Sequence, residues 1–180
     1  MHQLPSLTGL DGQAEFAAWR LGWHEQGFAI DVIVTGKTQP VRCEPLSPAN
    51  SSGVHVWLDT RGTQNVHRAT RFCHRFALLP VGRHKQQPLV TALPIGATRE
   101  AAEHSAAAVR VVSKVHDGGY RLRAWFPAES LTGYDPESHA RLGFYGTVID
   151  VELGTQALTV GSEFPYESDP SLWQTLELVR

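Results

Sequence analysis

Apolar and polar residues alternate with a period of two along much of this chain, and that alternation predicts strands. The first clear one is Gly27–Thr35, where Phe28, Ile30, Val32 and Val34 share one face and Asp31 points the other way. Val54–Thr60 repeats the pattern, with Val54, Val56 and Leu58 inward and His55, Trp57 and Asp59 outward. The turn Arg61-Gly62-Thr63-Gln64-Asn65 leads into a return strand, Phe72–Leu79. Val109–Val115 and Tyr120–Phe126 flank Asp117-Gly118-Gly119, a hairpin signal, and the second arm sets Arg121, Arg123 and Trp125 on its polar face. Arg141–Asp150, Ala157–Gly161 and Leu172–Val179 supply the last strands.

Helical signals are few. Asp11–Trp19, capped by Asp11, and Thr98–Ala108, capped by Thr98, read as short Ala-rich helices. The run between Gly36 and Gly53 is rich in Pro and Ser and lacks periodicity, so it reads as a long surface loop, a frequent seat of function. Pro80–Ala97 is broken by prolines and glycines. About eight short strands at this spacing predict an all-β, antiparallel β-sandwich of immunoglobulin-like type, with one or two short helices. The 180 residues suffice for one sizeable core, so the expectation is one domain over 1–180, with 1–20 as an N-terminal extension or short helix.

Several of these pieces, in this order, resemble the family 9 carbohydrate-binding module and the wider DOMON-like group of sandwiches. They are Gly27-Phe28-Ala29-Ile30-Asp31-Val32, Val54-His55-Val56-Trp57-Leu58-Asp59, Gly119 through Pro127, Leu142-Gly143-Phe144 with Asp150, and Leu172 through Leu178. The resemblance implies a non-catalytic sandwich, with glycan and calcium binding in some members, and it sets Trp57 and Trp173 at aromatic positions. The chain departs from the pattern at His55 and Arg123, where acids are common, so a ligand site built from those acids does not carry over.

Charge narrows the picture. The net charge of −2 gives no global attraction to nucleic acid or to an anionic membrane. Yet Thr60–Arg99 contains no acid, and acids dominate after Glu129. Within the acid-free stretch, Asp59, Arg61, His67, Arg68 and Arg71 bring donors to one strand end, which suits an anionic or hydroxyl-rich ligand. The simpler reading pairs Asp59 with these arginines to fix the loop. Beside it, the outward face is expected to gather Asp31, His55, Trp57, Asp59, Arg121, Arg123 and Trp125, rings beside polar groups as sugar recognition requires. The rival reading covers Trp57 and Trp125 with the loop after Gly36, as a satellite core.

His67, Cys73, His74 and Asp59 are permitted transition-metal ligands, but their spacing matches no known signature. Asp150, Glu152 and Glu163, with Glu167 and Asp169, offer oxygen ligands for calcium, against a solvated acidic surface as the alternative. Asp59, Asp150 and Glu163 are candidates for paired-carboxylate hydrolysis, and no nucleophile elbow, phosphate loop or zinc-protease helix occurs. The N-terminus lacks a secretory pattern, placing the chain in the cytoplasm unless a leader was removed, with Cys43 and Cys73 reduced. Two readings stand: a carbohydrate-binding-like module using Trp57, Trp125 or Trp173 with Asp59, Arg61, His67 and Arg123, and a domain recognising an anionic metabolite or protein partner through its Arg/His loop. Such a module commonly works beside another protein.

Overall fold

Phe28, Ile30, Val32 and Val34 are all 1% exposed or less, so the strand they belong to has one face wholly inside. The computed structural model, which describes residues 1–8, 14–82, 87–96, 105–161 and 163–179, builds two layers around that face. Among the described residues the strands are β1 (His2–Gln3), β2 (Ala17–His24), β3 (Gly27–Thr35), β4 (Gly53–Asp59), β5 (Cys73–Leu79), β6 (Leu89–Leu93), β7 (Arg110–His116), β8 (Gly119–Pro127), β9 (Arg141–Asp150), β10 (Gly154–Ala157) and β11 (Gln174–Glu177). The first sheet runs β1-β2-β3-β8-β7 and the second β10-β9-β4-β5-β6, with β11 pairing the first residues of β9 beside β10. Every neighbouring pair is antiparallel. The architecture is the expected all-β antiparallel sandwich.

The layers meet through aromatic contacts. Phe144 of β9 packs edge-on to Trp19 of β2, with ring centroids 6.1 Å apart, and lies 5.8 Å from Phe28 of β3. Phe76 of β5 meets Phe126 of β8 at 5.0 Å. Gly146 makes this approach possible, because a Cβ there would come within 2.6 Å of the Trp19 ring. The β7–β8 hairpin closes on Asp117 and Gly118, whose φ of +85° is the left-handed conformation such a turn needs.

Some expectations change. Where a helix was expected over Asp11–Trp19, Ala17–His24 is a strand: Ala17, Trp19 and Leu21 are buried while Ala18 and Arg20 are exposed, a period of two that excludes a helix. The strand carries the extension with it, since His2 and Gln3 pair with Leu21 and Arg20. Of the second expected helix, Thr98–Ala108, residues 98–104 lie outside the described residues, and 105–108 are not helical. Only single 3-10 turns occur among the described residues, at Pro48–Asn50, Ala128–Ser130 and Pro170–Leu172. Leu89–Leu93 forms an edge strand inside the Pro/Gly-broken stretch, and β10 ends at Ala157, where the expected strand Ala157–Gly161 was to begin.

Phe144→Ala should lower the unfolding free energy by about 3–5 kcal/mol, because neither sheet can close over the space left, whereas Val112→Ala on the exposed edge should change it by less than about 0.5 kcal/mol. Urea denaturation followed by tryptophan fluorescence measures both.

Candidate functional site

Strand β4 is buried at every position, so both of its faces are covered. Its inward residues, Val54, Val56 and Leu58, belong to the main core between the sheets. Its outward Trp57 belongs to a second cluster with Ala69, Cys73, Ile95, Tyr145, Tyr166 and Trp173. This cluster sits on the outer face of the second sheet. Tyr145 of β9 and Arg75 of β5 stand opposite Trp57 on either side.

The geometry is that of a box of rings. Trp57 meets Tyr145 edge-on at 5.6 Å and Tyr166 edge-on at 5.5 Å, and Tyr166 stacks on Tyr145 at 4.3 Å with 25° between the planes. The guanidinium of Arg75 lies 4.9 Å from the centre of the Trp57 ring and reaches Glu167 at 3.3 Å. Trp173 donates its Nε1 hydrogen to the Tyr166 carbonyl at 2.8 Å, and the Tyr145 hydroxyl donates to the Val160 carbonyl. Burial pushes the phenols of Tyr145 and Tyr166 above their ordinary range. Trp57 is 1% exposed and Trp173 5%, so neither is an open platform. Trp57 is covered as part of a satellite core, as one reading held for it and Trp125, but the cover comes from the chain after β10 and from Ile95, not from the loop after Gly36, and Trp125 is outside this cluster.

The turn from 60 to 72 borders this box. Asp59 is buried, and its carboxylate accepts from the backbone amides of Arg61 (2.9 Å) and Thr63 (2.8 Å). It therefore fixes the loop through amides, not through guanidinium pairs. Arg61 and Arg71 lie 4.6 and 5.0 Å from the centre of the Phe72 ring, and Arg61 donates to Nε2 of His139. His67 reaches both Asp169 and the Ser171 hydroxyl at 3.1 Å, tying the loop to the segment before Trp173, and Arg68 is exposed. Asp59, Arg61, His67, Arg68, Arg71, Trp57 and Trp173 thus share one end of the second sheet.

Arg123 and Trp125 do not join them. They lie on β8 in the first sheet, with Asp31 opposite Arg123, so the expected single face is really two outer faces on opposite sides of the molecule. Alternation showed which residues point outward but not which sheet each strand enters. The acids expected to hold calcium do not fit it. Asp150 and Glu152 both close on the ammonium of Lys37, at 2.7 and 3.0 Å, and Lys37 is 6% exposed. Hydrogen bonds from Thr38, joined by Lys37, hold the Glu152 carboxyl down at about 2. Glu163 is exposed and lies near Gly161 and Tyr145 instead. Among the described residues no group of three or more His, Cys, Asp or Glu is arranged to hold a metal ion.

Tyr145, Tyr166, Arg75 and Lys37 were missed. Tyr145 was legible, since it alternates with Phe144 and must face away from the core. Tyr166 was not, because 158–173 carries no period. Around the box four buried polar atoms lack a hydrogen-bond partner: Trp57 Nε1, Arg75 Nε, His55 Nδ1 and Thr147 Oγ1. Thr147 stands directly opposite His55, one step along the sheet from Trp57. Such orphans are uncommon and each costs free energy unless something completes it. Rings beside unfilled hydrogen-bonding atoms suit a ligand with an apolar face and many hydroxyls. Cys43 and Cys73 are free thiols, and burial pushes Cys73 up to about 11, a poor nucleophile.

No protein-family model matches the chain, and no curated protein matches its sequence. Solved structures do resemble it. A family 9 carbohydrate-binding module from Caldicellulosiruptor kristjanssonii in complex with cellotriose superposes with a TM-score of 0.65 at 16% identity, covering 89% of this chain and 73% of that one. The same organism's family 9 module with glucose gives 0.64 at 15% identity, covering 89% and 75%. A candidate carbohydrate-binding protein from Bacteroides uniformis gives 0.58 at 13% identity, covering 98% and 84%. The chain has the fold of the family 9 modules.

Burial holds the His55 imidazole down from 6.5 to about 4. Between those values the unfolded chain carries the extra proton, so stability should fall as pH drops from 6.5 toward 4, by an amount on the order of 3 kcal/mol. Urea unfolding at pH 7 and pH 4.5 should show this loss in the wild type and a smaller one in His55→Gln. Equal losses would contradict the assignment.

Proposed function

We propose that this chain is a carbohydrate-binding module that holds a glycan, without turnover, on the outer face of its second sheet. The observation that carries this reading is the set of unpartnered polar atoms, Trp57 Nε1, Arg75 Nε, His55 Nδ1 and Thr147 Oγ1, set into an aromatic floor. A pyranose meets both needs: its C–H face stacks on a ring and its hydroxyls complete the orphans. The relatives in fold that carry cellotriose and glucose support the same ligand class.

Tyr166 lies where the sugar would stack, over Tyr145 and against Trp57. The described residues of 158–173, the stretch that carries it, form no paired strand, and their backbone bonds are mostly short-range turns such as Phe164 N–H to Gly161 and Asp169 N–H to Pro165. Few sheet bonds resist its movement, so opening costs less than disturbing a strand. In this reading a sugar ring replaces the Tyr166 ring, Tyr145 is the platform, Trp57 and Trp173 wall the position, and Arg75 and His55 supply the hydrogen bonds. Asp59 positions the turn, and His67 and Arg68 lie at the rim.

Native electrophoresis through gels containing soluble cellulose-derived polysaccharide tests the proposal. Wild type should be retarded, Trp57→Ala and Arg75→Ala should weaken binding at least about tenfold, and Tyr166→Ala should strengthen it. If neither wild type nor Tyr166→Ala is retarded, the proposal fails.

A further inference from the structure

The outer face of the first sheet carries a charge pattern that the glycan site does not use. Three rows of side chains cross it by register. One runs Arg20–Asp31–Arg123–Val112, the next Ala18–Ile33–Arg121–Lys114, and the third ends in Trp125–Arg110. The face thus holds five cations and one anion. Because the whole chain has a net charge of −2, the remainder carries a net six negative charges, and the positive charge of this face stands out against it.

Four of these cations are exposed: Arg20, Arg110, Lys114 and Arg123. Among the described residues the ion pair on this face is Asp31 with Arg121, in which Arg121 Nε donates to Oδ1 at 2.7 Å and its second nitrogen to Oδ2. The pair shows how a carboxylate is clasped here by a guanidinium fork. Arg121 holds the Asp31 carboxyl below the ordinary range, helped by Arg123 and Arg20 on either side. Among the described residues neither of those two flanking guanidinium groups closes an ion pair of its own. Trp125, half-buried, stands at the end of the same strand, between an open cleft of about 460 Å³ that reaches His24 and Glu25 and one of about 770 Å³ that reaches Arg110, Glu25 and Glu129.

We infer that this face binds an acidic polysaccharide, a chain of sugar rings bearing carboxylates or sulfates. Charge complementarity supplies the attraction. The fork geometry of Arg suits planar oxyanions repeated along a chain, since side chains on this face recur about every 7 Å along a strand and about 5 Å across strands. Trp125 supplies a ring face for one sugar. A protein partner would want a larger apolar centre than Val112 and Ile33 provide. The inference does not rest on the glycan site of the second sheet and can fail or stand separately from it.

The test uses the full chain and polygalacturonate, with neutral cellulose-derived polysaccharide and polyuridylate as comparison ligands, by titration calorimetry at low and at physiological salt. Polygalacturonate should bind, more weakly as salt rises. Arg123→Glu and Lys114→Glu should each weaken it at least about tenfold, Trp125→Ala should weaken it as well, and Trp57→Ala should leave it unchanged. Circular dichroism identifies any variant that misfolds, and Arg20→Gln is the mildest replacement if Arg123→Glu does. The inference is overturned if polygalacturonate does not bind at low salt, or if folded charge reversals bind like wild type. It is overturned equally if polyuridylate binds as tightly and Trp125→Ala has no effect, which would mean attraction to any polyanion.

Discussion

Strands β4 and β9 pair from Gly53 opposite Ile149 to Asp59 opposite Gly143, and both are covered on their two faces. Everything else in the structure answers to that double burial. On the inner face Phe144 and Leu58 reach the first sheet and join the layers through Trp19 and Phe28. On the outer face the same alternation delivers Tyr145 and Trp57, two large rings that solvent cannot cover cheaply. The chain after β10 supplies that cover with Tyr166 and Trp173. A strand pair built this way makes a core and an aromatic floor in one stroke, and the floor is the feature that chemistry can exploit.

The legible part of the sequence was the part governed by period two. β3, β8 and β9 follow from their alternating residues, and the Asp117-Gly118 hairpin follows from its turn chemistry. β2 escaped because its small residues, Ala17 and Ala18, also suit a helix, and only burial of Trp19 and Leu21 against the second sheet decides between them. The site was half legible. Trp57, Trp173 and the Arg/His turn were singled out and do lie together, while Arg123 and Trp125 were assigned to the same face and belong to the opposite one. Strand pairing between segments roughly 85 to 100 residues apart sets that relation, and no local pattern encodes it. Lys37 was invisible for the same reason: its partners, Asp150 and Glu152, lie far along the chain, and its ammonium occupies the place where a calcium ion was expected.

The two outer faces differ in kind. The second sheet presents rings and unfilled hydrogen-bonding atoms under a segment held largely by side chains. The first presents guanidinium groups in rows on an open surface. One suits a neutral, hydroxyl-rich ligand admitted by movement of Tyr166, and the other suits charge met directly at the surface. Both follow from one rule, that a sandwich uses its inner faces for the core and leaves its outer faces to be filled by whatever the remaining sequence, or a ligand, provides.

A crystal structure of the chain grown with cellotriose tests the central claim most directly. The account predicts a sugar ring stacked on Tyr145 and edge-on to Trp57, hydrogen-bonded to Arg75, in the place that Tyr166 vacates. Cellotriose bound elsewhere, with Tyr166 still stacked on Tyr145 and the box closed, would contradict it.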